Sequence, residues 1–327
     1  MRAARVHGFS ADMPLSGLSV DDVSEPDVPD GWASVEVRAA ALNAHDLWSL
    51  RGVGLTRHDL PRILGSDAAG RDSETGRDVV VYPVVAAAPP QTTEALDPGQ
   101  SPLLSERYDG TLAERVVVPR HNLLAKPAHL SFTQAATLPT AWLTAYRMLY
   151  VLGRAQPGDT VLVQGATGGV STALVMLASR TGIRTWVTGR TEEGRTWASQ
   201  CGADLALAPG ARVPERVDVV LETVGAATWA HSLRCVRVGG RIVVAGATSG
   251  GGPVEELQRI FFHQISVIGA RMGTLNEMTS LLALVDRERI TPPVDSQWAL
   301  DEAPAAFERL QRGQLAGKVV LIPPDGR

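Results

Sequence analysis

Cysteine is nearly absent from this sequence. Cys201 and Cys235 are the only two among 327 residues, and neither lies in a CxxC pair or a Cys/His cluster. This arrangement argues against a disulfide framework and against a structural zinc site. We therefore interpret both side chains as small, buried hydrophobic groups.

Long hydrophobic runs are absent as well. The longest apolar stretch, 79–90, contains Pro83, and it is shorter than the roughly 20 residues that a membrane-spanning helix needs. The N-terminal segment MRAARVHGFSADM has basic residues but no apolar run behind them. We therefore expect no signal peptide, no membrane partner and a cytoplasmic protein.

An excess of charge of one sign is also missing. The net charge of −4 and the isoelectric point near 6.0 argue against a nucleic-acid partner. They are compatible with a local basic pocket that binds a single phosphate. With 44% hydrophobic and 20% charged residues, the chain has a globular composition. Its length fits about two domains.

The first 120 residues are rich in predicted β-strands. Ala33, Val35, Val37 and Ala39 alternate with polar residues, which is typical of a half-buried strand. Two short β-branched runs, 77–85 and 114–119, predict further strands. The Pro-rich residues 86–106 between these runs form a loop of unusual length, which suggests a functional or evolutionary origin.

The pattern changes near residue 120. Ser131 and Gln134 form a capping box that predicts a helix, interrupted at Pro139 and continuing towards Tyr150. Strands and helices then alternate, which indicates a parallel sheet covered on both faces. The predicted strands are 160–164, 184–188, 205–208, 217–222, 241–246 and 265–270, and the helices between them are 169–181, 192–201 and 226–235. Helices near 275–286 and 302–311 and a strand at 318–323 remain, and we expect them to fold back onto the N-terminal part.

A glycine-rich turn joins the strand TVLVQ to the next helix. Glycines at such a turn let helix N-terminal amides approach a pyrophosphate. Ala166 and Ser171 replace two glycines of the strict pattern, so a methyltransferase-type nucleotide domain is the alternative to dinucleotide binding. The predicted cofactor-binding residues of the turn are Gly165, Ala166, Thr167, Gly168, Gly169 and Val170.

The end of the second strand of this unit indicates which cofactor binds. A carboxylate there accepts hydrogen bonds from the ribose of NAD, but this chain has Gly189, Arg190 and Thr191. Arg190 and Thr191 are suited to hold a 2′-phosphate, so we predict NADPH. The alternative is that Arg190 is a solvated surface arginine and that Glu192 and Glu193 only complement the helix dipole.

The order of motifs resembles the medium-chain dehydrogenase/reductase superfamily, over nearly the whole chain. The segments that carry the resemblance are VEVRAAALNAHDLWSLRG, LPRILGSDAAG, DGTLAERVVVP, LPTAWLTAYRML, PGDTVLVQGATGGVSTALVMLA, LETVGAATW, VRVGGRIVVAG and GQLAGKVVLIP. The resemblance implies an α/β chain with a GroES-like, β-rich catalytic domain at 1–121 and 265–327. A doubly wound, parallel-sheet Rossmann domain at 122–264 would bind the cofactor.

Zinc-containing members of this superfamily hold the catalytic metal with two cysteines and a histidine. Asn43, Ser66 and Thr140 stand at the matching positions here, and the loop 86–106 matches the structural zinc lobe but has no cysteine. Amide and hydroxyl groups are poor zinc ligands, so we expect no metal. The zinc-free relatives imply NADPH-dependent reduction of an activated C=C bond or a quinone, because such acceptors need less polarisation than alcohol chemistry requires.

The resemblance also implies catalytic residues. Asn43 would lie beside the nicotinamide ribose, or serve only to stabilise a turn. His45 matches a proton-relay position and is a candidate proton donor, although a histidine beside Asp46 is often structural. Trp48 would line the cleft, where it replaces the tyrosine of other zinc-free reductases and cannot act as an acid.

Further cofactor contacts are implied at scattered positions. They are Thr144, Val224, Gly246, Ala247 and Lys318. For Thr144 and Val224 the alternative is plain packing, for Lys318 a solvated surface charge, and for Met272, near the expected substrate cleft, the core. The family suggests a homodimer formed through the ISVIGA strand. A non-catalytic NADPH-binding protein and, less favoured, a zinc alcohol dehydrogenase are the alternative functions.

Overall fold

The computed structural model describes residues 1–86, 101–251 and 256–324. The chain forms two compact units. Unit 1 comprises Met1–Thr140 and Thr274–Arg327, and unit 2 comprises Ala141–Gly273. The domain limits predicted from the sequence, 121/122 and 264/265, differ from the limits of these units and remain a sequence-based division.

Unit 1 is built mainly from antiparallel strands in two sheets. A three-stranded sheet has the order β2-β1-β4, and a larger sheet has the order β15-β16-β3-β5-β6-β8, with β7 also paired to β3. The strands are β1 Arg2–Val6, β2 Leu18–Asp22, β3 Trp32–Ala41, β4 Arg62–Ile63, β5 Asp67–Asp72, β6 Asp78–Val81, β7 Arg115–Pro119, β8 Leu123–Ala125, β15 Val294–Ala299 and β16 Lys318–Ile322.

The helices of unit 1 are short before the insertion of unit 2 and longer after it. They are α1 Ala44–Leu50, α2 Phe132–Ala135, α8 Leu275–Arg287 and α9 Ala303–Arg312, with 3₁₀ turns at Pro14–Gly17, Arg57–Asp59, Arg120–Asn122 and Leu300–Glu302. Strand β16 pairs with β3, so the C-terminal segment returns to the N-terminal sheet as expected. The alternating pattern of β3 is confirmed: the side chains of Ala33, Val35, Val37 and Ala39 are buried, and the polar residues that alternate with them are half-buried.

Unit 2 contains one parallel sheet of six strands. The strands are β9 Thr160–Gln164, β10 Arg184–Thr188, β11 Leu205–Leu207, β12 Val217–Glu222, β13 Val236–Val244 and β14 Ser266–Gly269, in the order β11-β10-β9-β12-β13-β14. Every pairing is parallel. This is the doubly wound order, in which successive strands are added first on one side of β9 and then, from β12 onwards, on its other side. A crevice forms at the carboxyl ends of β9 and β12, where the strand order reverses.

The helices of unit 2 cover this sheet. They are α3 Leu143–Tyr146, α4 Gly169–Arg180, α5 Glu192–Gln200, α6 Trp229–Cys235 and α7 Leu257–Phe262, and π-helical turns span Leu138–Trp142 and Arg147–Leu152. The predicted helix from Ser131 is therefore broken into two short α-helices, α2 and α3, with a π-helical turn after each of them. The break between α2 and α3 contains Pro139, which has no N–H to donate to the preceding turn. The capping box of Ser131 and Gln134 is present.

Some predicted limits are wrong. Helix α6 begins at Trp229 rather than at 226, because the N–H groups of Thr228 and Trp229 both donate to Gly225 in a turn. Strand β13 begins at Val236, before the predicted 241. Of the predicted loop 86–106, residues 87–100 lie outside the described residues. None of the helices in the described ranges has the length and apolar character required to cross a bilayer.

Candidate functional site

The glycine-rich turn of unit 2 lies at the carboxyl end of β9. Gly165 and Gly168 have positive φ angles of 96° and 106°, which favour glycine over other residues. Gly168 caps α4 without a side-chain hydrogen bond, so the first-turn amides of this 12-residue helix have no capping side chain. These amides fit a pyrophosphate. The predicted residues from Gly165 to Val170 are thus brought together in one turn.

The start of α5 packs closely against this turn. A Cβ atom added to Gly189 would lie 2.7 Å from the Cβ of Ala166 and 3.0 Å from Cγ of Arg195. At Gly194 an added Cβ would lie 3.2 Å from Cγ2 of Thr167. Both glycines therefore permit a close approach that a larger side chain would prevent. The approach places the end of β10 next to the predicted phosphate site.

A basic group is exposed at the end of β10. Arg190 is exposed, and among the described residues its guanidinium has no hydrogen-bonding or ion-pair partner. Thr191 caps α5 by accepting a hydrogen bond from the N–H of Gly194 at 3.1 Å. Glu192, the nearest acid, forms an ion pair with Arg195, which also donates to the carbonyl of Gly189 at 2.8 Å. The strand end thus presents an unpaired cation, and its neighbouring carboxylate is neutralised.

A buried polar network holds the strand ends together beneath the turn. The side-chain amide of Gln164 donates to Nδ1 of His231 at 3.0 Å and to Oγ of Ser232 at 2.9 Å, and its oxygen accepts from Thr188 at 2.6 Å. Ser232 in turn donates to Glu222 at 2.6 Å. Since Nδ1 of His231 accepts a bond, Nε2 carries the proton and donates to the carbonyl of Ala211 at 2.8 Å. The sequence analysis missed this network, because buried polar residues on separate strands have no local signature.

Glu222 also organises the loops after β12 and β13. Its Oε1 accepts bonds from the N–H groups of Val224 and Gly225 at 2.9 and 3.0 Å. An added Cβ at Gly225 would lie 2.8 Å from Cα of Ala247, and one at Gly246 would lie 2.9 Å from the carbonyl oxygen of Thr223. An added Cβ at Gly165 would also lie 3.3 Å from Val224. The predicted residues Val224, Gly246 and Ala247 therefore lie around the crevice of the sheet.

Two further predicted residues of unit 2 contact each other. The hydroxyl of Thr144 lies 3.9 Å from the sulfur of Met272, and both side chains are buried. Their predicted roles near the cofactor and the substrate remain predictions. The two cysteines also lie in unit 2, and burial raises the pKa of each thiol to about 11. Cys235 is buried as expected, whereas Cys201 is only half-buried.

A cluster of buried polar groups in unit 1 joins positions that are far apart in sequence. Nδ2 of Asn43 lies 3.4 Å from Oγ of Ser66, which lies 3.1 Å from the hydroxyl of Thr140. The ammonium of Lys318 donates to Oδ1 of Asn43 and, at 3.3 Å, to Asp67. Lys318 is 5% exposed, so the interpretation of a solvated surface charge is wrong. The three positions that match zinc ligands in the superfamily do meet in the fold.

These groups do not fit a catalytic zinc ion. Oδ1 of Asn43 is occupied by the ammonium of Lys318, and the hydroxyls of Ser66 and Thr140 bond to each other. Neutral oxygen donors beside a fixed cation are poor ligands for a dication. Within the described parts of the chain, no group of three or more histidine, cysteine and acidic side chains is placed to hold a metal ion.

Two buried carboxylates support the cluster. Asp46 accepts bonds from the N–H groups of Asn43 at 2.7 Å and Gly65 at 3.2 Å, and thereby ties the start of α1 to the strand loop. Burial raises its pKa to about 6. Burial also raises the pKa of Asp67, against the opposing effect of Lys318. The spacing N-x-x-D at Asn43 signals the bond to Asp46, but nothing in the sequence signals the pairing of Asp67 with Lys318.

The other predicted catalytic residues lie on α1. His45 and Trp48 are three residues apart, on neighbouring turns, and both are half-buried. Nε2 of His45 lies 3.5 Å from Oε1 of Glu106, an acidic residue that the sequence analysis did not identify. The structure therefore places Asn43 in the buried cluster and His45 beside a carboxylate.

Two family models match the chain. An alcohol dehydrogenase GroES-like domain matches residues 29–128, and a zinc-binding dehydrogenase domain matches residues 202–321. Among solved structures, one described as an NAD-dependent alcohol dehydrogenase superposes with a TM-score of 0.89 and 30% identity, over 98% of this chain and 99% of the other. Fold and sequence are therefore similar over the full length of that chain.

Curated relatives include reductases. The quinone oxidoreductase of Mus musculus is 27% identical over 98% of this chain and 98% of that protein. The crotonyl-CoA reductase of Streptomyces collinus is 27% identical over 96% of this chain and 84% of that protein. The spectinabilin polyketide synthase system protein NorB of Streptomyces orinoci is 32% identical over 95% of this chain, which spans 14% of that protein.

Proposed function

The chain belongs to the medium-chain dehydrogenase/reductase superfamily of oxidoreductases, and from this premise we propose that it reduces an activated C=C bond or a quinone with NADPH and without a metal ion. The observation that carries the proposal is the contact of Lys318 with Asn43 at the positions of the superfamily's zinc ligands. Because the ammonium of Lys318 binds Asn43, these positions do not form a set of ligands for zinc. Acceptors that are already activated need no Lewis acid.

The preference for NADPH is supported by the end of β10. Arg190 is exposed and, within the described residues, has no competing partner, while Arg195 neutralises Glu192. A 2′-phosphate would therefore meet one available guanidinium, with the hydroxyl of Thr191 nearby. Charge-assisted hydrogen bonds of this kind are stronger than neutral ones. The first-turn amides of α4, which no side chain caps, would hold the pyrophosphate.

When bound, the reduced nicotinamide supplies the hydride. The turn from Gly165 to Val170 would fix the cofactor, and polar side chains of this protein would stabilise and protonate the reduced acceptor. Asn43 is the candidate for positioning, and His45 is the candidate proton donor. Relatives named as a quinone oxidoreductase and a crotonyl-CoA reductase support both classes of acceptor.

NADPH oxidation by the purified protein tests the proposal. We expect turnover with an enone, an enoyl thioester or a quinone in a panel that also contains aldehydes, and we expect the rate to survive dialysis against a chelator. Activity that requires added zinc, or activity only with alcohols and NAD⁺, would contradict the proposal. Tight NADPH binding without turnover on any acceptor would instead favour a non-catalytic NADPH-binding protein.

The variant Arg190→Ala tests the cofactor preference. Loss of one guanidinium–phosphate contact should raise the KM for NADPH about tenfold or more, with little change in the KM for NADH. Arg180→Ala is the matched control, because Arg180 is an exposed arginine at the end of α4. Equal KM values for NADPH in the two variants would overturn the assignment of Arg190.

A further inference from the structure

The imidazole of His45 has two different environments. Its Nε2 atom is buried and forms no hydrogen bond, and the carboxylate of Glu106 faces it at ion-pair distance, with Oε1 at 3.5 Å. The other nitrogen, Nδ1, forms no hydrogen bond with the described residues, and it is accessible from outside the protein. The side chains of His45 and Glu106 are 18% and 20% exposed. One edge of the ring thus faces a carboxylate, and the other is open.

Glu106 is itself held in place. Its Oε2 accepts a hydrogen bond from the N–H of Leu103 at 3.0 Å, and its own N–H donates to the carbonyl of Leu103 at 3.2 Å. Leu103 is buried, so the turn that carries the carboxylate is anchored in the core. These bonds hold the carboxylate with its Oε1 facing His45.

The backbone of a third segment borders the pair. A Cβ atom added to Gly54 would lie 3.5 Å from Oε1 of Glu106 and 3.6 Å from Cε1 of His45. The φ of 82° favours glycine at this position, and the backbone there packs beside both side chains. Glu106 therefore meets the segment that carries His45 and Gly54 although it lies more than 50 residues further along the chain.

Asp46 also interacts electrostatically with His45. Asp46 follows it in α1, but both of its carboxylate oxygens accept backbone N–H groups, those of Asn43 and Gly65. Asp46 is thus engaged in holding the helix start. Glu106 is the carboxylate that faces the ring nitrogen.

We propose that Glu106 is a positioning residue for His45, which it holds through Nε2 so that Nδ1 delivers the proton to the reduced acceptor. This inference rests on the proposed reductase function. In the step, the Nδ1–H bond of the imidazolium breaks while a C–H or O–H bond forms on the anionic acceptor, and the N–H electron pair stays on the ring. The ring becomes neutral and takes its next proton from solvent. A carboxylate on the far nitrogen favours this arrangement, because it orients the ring and stabilises its cation.

Kinetics and NMR test the proposal together. Glu106→Ala should lower kcat about tenfold and leave the KM for the acceptor nearly unchanged, and added formate should restore part of kcat by supplying a carboxylate. In the apo protein, a low-field proton on Nε2 of His45, assigned by its loss in His45→Gln, should disappear in Glu106→Ala. Asp109→Asn is the matched control, because Asp109 lies in the same segment but pairs with Arg62.

The outcomes separate this inference from the proposed function. Turnover in the wild type with no effect of Glu106→Ala on kcat, or an equal loss in Asp109→Asn, overturns the role of Glu106 and leaves the reductase function standing. A low-field proton that depends on Glu106, in a protein without turnover, overturns the reductase function and with it the catalytic role of the pair. A kcat loss that formate does not reverse, with an unchanged low-field proton, also overturns the inference.

Discussion

At the scale of single residues, unit 1 is characterised by charges inside its core. Asp46, Asp67 and Lys318 are all buried, and each has a partner that offsets the loss of hydration. Asp67 and Lys318 form an ion pair, and Asp46 accepts two backbone N–H groups. Buried charges of this kind cost stability unless they are paired or hydrogen-bonded. The cluster is therefore sensitive to the removal of any one member.

The stability of the protein should depend on pH through Asp46. Its pKa is raised from 3.8 to about 6 in the folded protein, so the folded state binds this proton more tightly than the unfolded state. The wild type should therefore lose stability relative to Asp46→Asn as the pH rises from 3.8 to about 6, by about 2–3 kcal/mol in total. Urea denaturation of both proteins at several pH values measures this difference. A difference that is the same at every pH would contradict the prediction.

Removing Lys318 should expose the cost of an unpaired buried carboxylate. Lys318→Met leaves Asp67 without its counter-charge and should lower the free energy of unfolding by about 3–5 kcal/mol. The double variant Lys318→Met/Asp67→Asn should recover much of this loss, because no buried charge is left unpaired. Chemical denaturation gives both values. If the double variant also binds NADPH as the wild type does, the predicted cofactor contact of Lys318 is wrong.

At the scale of elements, the contact between α5 and the glycine-rich turn determines the shape of the nucleotide site. Gly189 and Gly194 allow α5 to approach Ala166 and Thr167. On the opposite side of the turn, Gln164 links β9 to the neighbouring elements through its side-chain hydrogen bonds. The glycine-rich turn is thus held by its packing against α5 and by the hydrogen bonds of Gln164. The cofactor therefore binds to a turn that is already ordered, and no binding free energy is lost in ordering that turn.

A single added methyl group should disturb this element contact. Gly189→Ala places a Cβ 2.7 Å from the Cβ of Ala166, so the end of β10 and the glycine-rich turn must move apart. Overpacking of this kind costs about 1–3 kcal/mol, and the shift should weaken NADPH binding. Thermal denaturation and NADPH titration measure the two effects. Gly8→Ala is the control, because an added Cβ at Gly8 meets no atom within 4 Å; equal behaviour of the two variants would refute the packing argument.

At the scale of the whole molecule, one edge of the parallel sheet is open and apolar. Strand β14 pairs with β13 on one side, and no described strand covers its other side. Val267 on this strand is 44% exposed, and Phe261 and Phe262 of the preceding helix are 62% and 75% exposed. Open edges with exposed apolar side chains favour association with another strand. This edge is the ISVIGA segment through which a homodimer is proposed.

The proposed homodimer should depend on this edge. Val267→Lys places a charge on the outer strand and should convert the dimer to a monomer, because a buried unpaired ammonium opposes association. Light scattering coupled to gel filtration measures the mass. Met13→Lys, at an apolar residue of unit 1 that is even more exposed than Val267, should leave the dimer intact. A monomeric wild type, or a dimeric Val267→Lys variant, would disprove this interface.

Local patterns predicted most of the elements of unit 2. The strands 160–164, 184–188 and 217–222 match the structure exactly, because apolar β-branched runs between turn signals have few other stable conformations. The capping box at Ser131 and the glycine-rich turn are also local features. The limits of α6 and β13 were wrong, because the turn at Gly225 and the hydrogen bonds of β13 involve partners from elsewhere in the fold.

The opening observations illustrate the division between the two levels. The sequence by itself determined that positions 43, 66 and 140 offer zinc no thiolate or imidazole ligand. The reason is that the ligand chemistry of a residue is a property of its side chain. Only the tertiary structure decided that Lys318, remote in sequence, gives its ammonium to Asn43 and Asp67, and that Glu106 faces His45. Such pairings depend on which strands and loops meet in three dimensions, and no local pattern encodes that.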